Sequence, residues 1–220
     1  MEILAVIFDL DGTLLDTIED LADATNAVLR RRGFPVHGVE AYKTFVGDGL
    51  DLLVERALPG DRRDAGMLRE CVEDFGREYE GCWDRKTRPY EGVMEMLRAL
   101  AARGLKLAVL SNKPHAATVR VVRALLGGVA FDVVRGAVPG VPRKPDPTAA
   151  LDIAARLGVP PRACLCVGDL GNDMRMAVSA GMIPVGALWG FRGEAELRAG
   201  GAVILAAAPL DVMALPCLGP

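Results

Sequence analysis

Two aspartates one residue apart, Asp9 and Asp11, directly follow an apolar run at residues 3–8. The run has the length of a buried strand. Carboxylates buried at its end lose their hydration, which costs free energy unless they pair with a charged group or bind a cation. Ligands bind at the carboxyl ends of strands in open α/β sheets, so the pair indicates a metal-assisted site for an anion such as phosphate. One aspartate can act as a nucleophile while the other transfers protons.

The residues after this pair also suit a ligand site. Gly12 permits a tight turn and leaves its amide free to face an anion. A capping aspartate followed by an ordinary Asp-Gly turn is the alternative. The full pattern Asp-x-Asp-Gly-Thr, ending at Thr13 after an apolar strand, is much rarer than such a turn and favours the chemical interpretation.

Polar residues also follow two later apolar runs. Ser111 follows residues 105–110, and Asp169 follows residues 163–167. A hydroxyl at the start of a helix can hold phosphoryl oxygens or simply cap the helix, and Ser111 alone does not decide between these roles. A second acidic strand end beside Asp9 would complete an oxygen-ligand site for a hard cation such as magnesium.

Two more charged residues are candidates for the same site. Lys144 lies in the proline-rich segment 143–147, where stiff backbone could hold an ammonium against a pentavalent phosphorus. A basic surface loop is the alternative. Asp173 lies near the start of a helix and could orient Lys144 or a metal-bound water, or simply complement the helix dipole.

Apolar runs alternate with helical patterns from residue 89 onward. Strands are predicted at residues 3–8, 105–110, 131–134, 163–167 and 183–187. Helices are predicted at residues 91–103, 115–126, 148–157 and 173–180. Because the strands lack polar alternation and alternate with helices, we predict an α/β fold with a doubly wound parallel, Rossmann-like sheet.

The segment 16–88 contains only helical patterns. Its first helix is expected to be capped by Asp16 or Thr17, with Asp20 three residues after Thr17. Further helices are expected over residues 39–58, interrupted at Gly47-Asp48-Gly49, and over residues 64–83. We therefore predict a core domain of residues 1–15 and 89–220 with an inserted all-helical cap domain of residues 16–88.

Composition excludes several classes of protein. The 220 residues carry a net charge of −3 with a pI of about 5.5, which gives no electrostatic signature of nucleic-acid binding. Five scattered cysteines without a Cys-x-x-Cys pair favour neither a disulfide framework nor a zinc site. No signal peptide or membrane-spanning run is visible. We expect a cytoplasmic protein that is a monomer or homodimer.

Four sets of these residues resemble, in order along the chain, the four sequence motifs of the haloacid dehalogenase superfamily. They are residues 9–13, Ser111, Lys144, and Asp169 with Asp173. The resemblance covers essentially the whole chain, including a helical cap inserted after the first motif and a return segment at residues 88–93. It implies the α/β core of this superfamily.

The resemblance also implies how catalysis proceeds. Asp9 would attack phosphorus in line and form an aspartyl-phosphate. Asp11 would protonate the leaving alcohol and then activate water. Mg²⁺ would be the cofactor, held by the side chains of Asp9 and Asp169 with the backbone carbonyl of Asp11.

Other residues would bind the substrate in the same resemblance. Ser111 and Lys144 would hold phosphoryl oxygens, and Asp173 would support the site. Candidate substrate-binding residues are Gly12, Thr13, Asn112, Gly47, Asp48 and Gly49. The last three lie in segment 45–50, which resembles a cap loop that closes on substrate, although two glycines could equally break a helix.

Within the superfamily, segments 110–114 and 143–147 resemble those of phosphoglycolate phosphatases. One departure is Leu170, where many relatives have serine; the loss of this hydroxyl bears on tuning of the site and not on the ligand Asp169. His115 could approach the site rim, or cap a helix. Arg192 could reach a substrate carboxylate, or lie on the surface.

The resulting prediction is a magnesium-dependent phosphomonoester hydrolase acting on a small phosphate ester, with phosphoglycolate as the leading candidate. A sugar phosphomutase would use the same site and differ in its product. A non-catalytic sensor of phosphorylated metabolites would bind without turnover. Removal of halide from haloacids would not need Asp11, so the presence of Asp11 counts against that reaction. A phosphonate-cleaving relative would need a Schiff-base lysine, for which the cap offers only Lys43 and Lys86.

Overall fold

The computed structural model describes residues 2–215. Its strands are β1 (Ala5–Phe8), β2 (Leu15–Asp16), β3 (Arg88–Pro89), β4 (Lys106–Pro114), β5 (Val133–Ala137), β6 (Cys164–Gly168), β7 (Ile183–Ala187) and β8 (Ile204–Ala206). Its α-helices are α1 (Ile18–Arg31), α2 (Val39–Phe45), α3 (Leu50–Ala57), α4 (Ala65–Glu80), α5 (Val93–Ala102), α6 (His115–Leu125), α7 (Thr148–Leu157), α8 (Gly171–Ser179) and α9 (Glu194–Gly200). None of these helices is long and apolar enough to span a bilayer.

Six strands form one parallel sheet in the order β5-β4-β1-β6-β7-β8. The central strand β1 pairs with β4 on one side and β6 on the other, so that Phe8 lies opposite both Val109 and Val167. Since β1 is the middle strand, its last residue delivers Asp9 to the centre of the carboxyl edge. β4 and β6 deliver their own final residues to either side.

Helices cover both faces of this sheet. Alternate sheet residues such as Val6 and Phe8 pack against α5 and α6, whereas Ala5 and Ile7 pack against α7 and α8. Burial on both faces explains why the strands have no polar alternation. The predicted α/β class and doubly wound parallel sheet are confirmed.

Helices α1 to α4 lie between the short strands β2 and β3 and share their own apolar cluster, which includes Tyr42 and Phe75. β2 and β3 pair antiparallel, with Leu15 opposite Pro89, so the chain leaves and re-enters the sheet region side by side. This arrangement is consistent with an inserted cap, and the domain boundaries at 16–88 stay a prediction.

The start of α1 differs from the expected cap. Thr17 is the N-terminal flanking residue but its side chain makes no capping hydrogen bond. Asp20 is used instead to join the two ends of the helical segment, accepting hydrogen bonds from the backbone amides of Lys86 and Thr87 and from the Thr87 hydroxyl. The predicted side-chain cap from Asp16 or Thr17 is therefore wrong. The Asp20 carboxylate, which was expected near this cap, instead binds residues 86 and 87.

Two strands also differ in extent from the prediction. β4 continues through Pro114, with a register shift after Leu110, so Ser111 lies within a strand and not at a helix start. β5 spans Val133–Ala137, whereas the apolar run predicted residues 131–134, and Asp132 just before it accepts a hydrogen bond from the Leu107 amide.

Candidate active site

Lys144 links two of the predicted site aspartates. Its ammonium lies 2.6 Å from an oxygen of Asp9 and 2.6 Å from an oxygen of Asp173, and it also donates to the Leu110 carbonyl at 3.1 Å. All three charged side chains are buried. Burial alone would lower the pKa of Lys144, but Asp173 and Asp9 raise it above its ordinary value, so the lysine stays charged.

Asp169 lies on the opposite side of Asp9 from β4, after β6. It accepts hydrogen bonds from the Thr13 hydroxyl and from the Phe191 amide, each at 2.9 Å. Gly12 has φ +92°, and a Cβ there would lie 2.3 Å from Asp169 Oδ2 and 2.7 Å from the Phe191 ring. Only glycine fits this position, and the Thr13 hydroxyl holds Asp169 in place. The prediction that the Gly12 amide is free to face an anion is wrong, because this amide donates to the Leu15 carbonyl at 2.8 Å.

The carboxylates of Asp9, Asp169 and Asp173 converge, each offering one oxygen within 4.8 Å of the others. Burial raises the pKa of Asp9 well above its ordinary value, although Lys144 opposes this rise. Burial, with the nearby charge of Asp173, raises the pKa of Asp169 to about 7. Such a crowded set of buried oxygen donors has the chemistry of a site for a hard divalent cation.

Asp11 faces a residue that was not among the predicted site residues. Its Oδ1 accepts a hydrogen bond of 3.0 Å from the ammonium of Lys113, which also donates to the Tyr79 hydroxyl at 2.9 Å. Lys113 lies only 4.7 Å from the Tyr79 ring centroid. Lys113, on β4, thus contacts both the segment that follows β1 and helix α4. A lysine three residues after the apolar run 105–110 is the sequence signal that could have identified it.

Asn112 connects the Lys144 segment to the segment between α2 and α3. It accepts from the Lys144 amide at 2.9 Å and donates to the carbonyl of Gly47 at 3.0 Å. Asn172 donates to the same Gly47 carbonyl at 3.0 Å and to Asp48 at 3.1 Å. Asn172 was also not predicted as a site residue. The segment 46–51 is therefore held against the sheet edge by two asparagines.

The other predicted loop residues have distinct surroundings. Burial alone would raise the pKa of Asp48, but hydrogen bonds from Arg56 and Asn172 lower it below its ordinary value. Gly49 has φ +102°, and a Cβ there would contact the Arg143 guanidinium. Asp48 thus lies in the lid of the site with its carboxylate already bonded, so it is a structural contact of this segment.

Leu170, His115 and Arg192 have different surroundings. Leu170 is buried and would lie 2.3 Å from a Cβ added at Gly47, so it packs directly under that segment. His115 is exposed and accepts a hydrogen bond from the Gly136 amide. Arg192 donates to the Val46 carbonyl and pairs with Glu196 at 3.0 Å. Neither His115 nor Arg192 lines the central cavity.

A cavity of about 170 Å³ lies between the sheet edge and helices α1, α3 and α4. Asp9, Asp11, Ser111, Asn112 and Lys113 line its sheet side. Gly47 and Gly49 line the opposite side, together with apolar residues of the helices. The structure therefore brings the predicted residues from all four motifs to one edge of the sheet, with a cavity beside Asp9 and Asp11 that a small molecule can enter.

Comparison with known proteins agrees with this geometry. Residues 3–181 match the family model of the haloacid dehalogenase-like hydrolases. A phosphoglycolate phosphatase of Nitrosospira multiformis is 39% identical over 184 residues, which cover 82% of this chain and 81% of that protein. A phosphoglycolate phosphatase of Escherichia coli K12 is 35% identical over 214 residues, covering 88% and 85% of the two chains.

Solved structures show the same architecture. A crystal structure of a protein from Lactobacillus delbrueckii subsp. bulgaricus superposes with a TM-score of 0.92 at 30% identity, covering 100% of both chains. That of a predicted phosphoglycolate phosphatase from Haemophilus somnus gives a TM-score of 0.88 at 27% identity, covering 98% of this chain and 99% of the other. The chain belongs to the haloacid dehalogenase-like hydrolase family and resembles its phosphoglycolate phosphatases, which confirms both the family and the class of enzyme that its motifs predict.

Proposed function

We propose that this protein is a magnesium-dependent phosphomonoesterase that acts on a small metabolite through an aspartyl-phosphate on Asp9. The observation that carries the proposal is the placement of Asp9. One of its oxygens is held by Lys144, while the residue also lines the cavity beside Asp11. A nucleophile fixed at one oxygen and a proton-transfer group facing the same space are what in-line displacement at phosphorus requires.

The reaction then has two steps. An oxygen of Asp9 forms a bond to phosphorus as the bond from phosphorus to the ester oxygen breaks, and Asp11 gives a proton to the leaving alcohol. Water next attacks the phosphorus of the aspartyl-phosphate, and Asp11 accepts its proton as the bond to Asp9 breaks. Phosphate is released and both aspartates return to their starting states.

Mg²⁺ would be held by the side chains of Asp9 and Asp169 with the backbone carbonyl of Asp11. When bound, it supplies positive charge that offsets the negative charges of the phosphate and the aspartates. Asp173 is the weaker candidate for a ligand, because its oxygens already accept from Lys144 and from the Leu170 amide. We therefore assign Asp173 the role of positioning Lys144.

Ser111 and Lys144 are proposed to hold the phosphoryl oxygens. Ser111 is buried at the cavity wall, and its oxygen accepts only the Lys113 amide among the hydrogen bonds of residues 2–215, which leaves its hydroxyl proton for a phosphoryl oxygen. Asn112 and the loop glycines Gly47 and Gly49 would close the cavity around the substrate and exclude water. Gly12 would act by leaving room for the Asp169 carboxylate, and Thr13 would act by donating a hydrogen bond to it.

Phosphoglycolate is the leading substrate. The relatives named above are called phosphoglycolate phosphatases, and the cavity suits a leaving group of a few atoms. The site is proposed to take a small phosphate ester, and the net charge of −3 gives no electrostatic signature of nucleic-acid binding. No feature of the cavity favours the phosphomutase or the sensor over hydrolysis.

Release of inorganic phosphate from 2-phosphoglycolate and from p-nitrophenyl phosphate tests the proposal. We expect turnover that requires Mg²⁺ and that falls at least about 10³-fold in Asp9→Asn, which lacks the nucleophile. Asp23→Asn is the matched control, since Asp23 is exposed and pairs with Lys86. Full activity in Asp9→Asn contradicts the assigned nucleophile. A phosphate moved within the substrate identifies a mutase, and binding without turnover identifies a sensor.

A further inference from the structure

Lys113 is a buried cation that the proposed reaction does not use. Only 6% of its side chain is exposed, and it lines the cavity near the end of β4. An ammonium has three N–H donors. Asp11 and Tyr79 accept two of them, and no other acceptor for Lys113 is found among residues 2–215. One donor is therefore left for a molecule in the cavity.

The charges around the two buried lysines differ. Lys144 has two carboxylate partners, Asp9 and Asp173, whereas Lys113 has Asp11 alone. The Tyr79 hydroxyl is a neutral acceptor, and burial raises its pKa above its ordinary value. Lys113 thus has fewer anionic partners than Lys144, so an anion in the cavity would be a favourable second partner for it.

The other walls of the cavity offer an anion one further cation. Arg120 lines the cavity, pairs with Glu80 and lies over the Trp83 ring, and its buried Nε has no hydrogen-bond partner among residues 2–215. The helical side of the cavity is lined largely by apolar side chains, namely Leu21, Val46, Leu50, Leu53 and Phe75. A charged group on the substrate would lose its hydration against these apolar residues, whereas Lys113 offers it a buried N–H donor.

Distances narrow the class of substrate. Asp11 Oδ1 and the ammonium nitrogen of Lys113 are 3.0 Å apart. In a phosphorylated 2-hydroxy acid, the ester oxygen and the nearer carboxylate oxygen are roughly 3 Å apart, as ordinary bond lengths dictate. An ester oxygen facing Asp11 thus brings a carboxylate one carbon away within reach of Lys113. A carboxylate several carbons further would extend to the apolar wall.

We propose that Lys113 is the specificity-determining residue of this site and selects phosphate monoesters of 2-hydroxy acids by binding their carboxylate. The proposal rests on the proposed function, because it uses Asp11 to place the ester oxygen. Lys113 would donate its third N–H to the carboxylate while keeping Tyr79 as a fixed neutral partner. The selection would then depend on the charge of the substrate and on the distance of that charge from the ester oxygen.

A cycle that removes Lys113 from the enzyme and the carboxylate charge from the substrate tests this proposal. The kcat/KM for 2-phosphoglycolate and for its neutral analogue, 2-phosphoglycolamide, is measured in the wild type and in Lys113→Met. Loss of Lys113 disturbs Asp11, so both values should fall. The ratio of the two values should fall by a further factor of about 30, as expected for one charge-assisted hydrogen bond. A purely structural role of Lys113 lowers both values and leaves the ratio unchanged, which overturns the proposal.

Further variants sharpen the result. Lys113→Arg keeps the charge and should retain part of the preference for the carboxylate, whereas Lys106→Met removes a lysine at the other end of β4 and should leave the ratio as in the wild type. Calorimetric binding of both compounds to Asp9→Asn, with and without Lys113→Met, gives the same cycle without turnover. A fall in the ratio of the two binding affinities on loss of Lys113 supports the proposal even if no ester is hydrolysed. An unchanged ratio in binding contradicts it whether or not the enzyme is active.

Discussion

The ammonium of Lys144 lies 2.6 Å from Asp9 Oδ1, joining residues 135 positions apart in the chain. The same nitrogen lies 2.6 Å from Asp173 Oδ1, and Asp173 Oδ2 accepts from the Leu170 amide. Asp9, the proposed nucleophile, is thus positioned through a lysine that is itself fixed at the start of α8. Under the proposed function, this contact would orient the Asp9 carboxylate for attack on phosphorus.

Replacement of Asp173 by asparagine should lower kcat. Asparagine has a single acceptor oxygen, so either Lys144 or the Leu170 amide would face an NH₂ group. We expect kcat to fall about 10- to 100-fold, as for other residues that orient a catalytic group, with a smaller change in KM. Asp146→Asn, at an exposed turn of the Lys144 segment, is the control. Unchanged kcat in Asp173→Asn argues against the positioning role.

The raised pKa of Asp169 predicts how magnesium and pH act together on stability. The folded protein holds this proton up to about pH 7, whereas the unfolded chain releases it near 3.8. The folded state therefore binds more protons between these values, and the metal-free protein should lose stability as the pH rises from about 4 to 7. Mg²⁺ needs the ionised carboxylate, so its stabilising effect should grow over the same interval.

Thermal denaturation with and without MgCl₂ checks this prediction. We expect Mg²⁺ to raise Tm by at least about 5 °C more at pH 8 than at pH 5. In Asp169→Asn the group no longer titrates, so the metal-free protein should lose less stability with rising pH and Mg²⁺ should stabilise it little. A magnesium effect that is equal at both pH values in the wild type contradicts the link between Asp169 and the metal.

Much of the site could be predicted because its residues follow apolar runs. The run before Asp9 and the run before Asp169 are continuous and unmixed, since both strands are covered on both faces. Strands that end at one sheet edge bring their following residues together whatever the loops do. The positions of Asp9 and Asp169 at the ends of neighbouring strands can therefore be predicted without side-chain detail.

Contacts between the helical segment and the sheet could not be predicted in the same way. Lys113 and Tyr79 are 34 residues apart, and their contact depends on the rotation of α4 and on how the segment docks. The final elements α9 and β8 were also missed. The short β8 is only partly buried, and α9 carries charges that mask any apolar period. Asn172 was missed because its partner, Gly47, lies in the helical segment.

Gly47→Ala should impair closure of the cavity. Gly47 has φ +115°, and an added Cβ would lie 2.3 Å from Leu170 Cδ1. The strain should displace segment 46–51 and raise KM by about 10-fold, and Tm should also fall because Val46 belongs to the apolar cluster of the helical segment. Gly60→Ala is the control, since a Cβ there meets no atom within 4 Å. Addition of Leu170→Ala should recover part of the loss, and no recovery would assign the whole effect to backbone strain.

The carbonyl of Gly47 accepts from both Asn112 and Asn172, at 3.0 Å each, and this shared acceptor predicts a non-additive pair of mutations. In either single alanine variant the carbonyl keeps one donor, so kcat/KM should fall only about 3- to 10-fold. In the double variant the carbonyl loses both donors, and segment 46–51 is held to the sheet edge only by contacts such as those of Arg143 and Arg192. We expect the double variant to lose more than the product of the single losses, by about 5-fold or more. A double-mutant cycle on kcat/KM measures this, and strict additivity would mean that the two asparagines act on separate parts of the site.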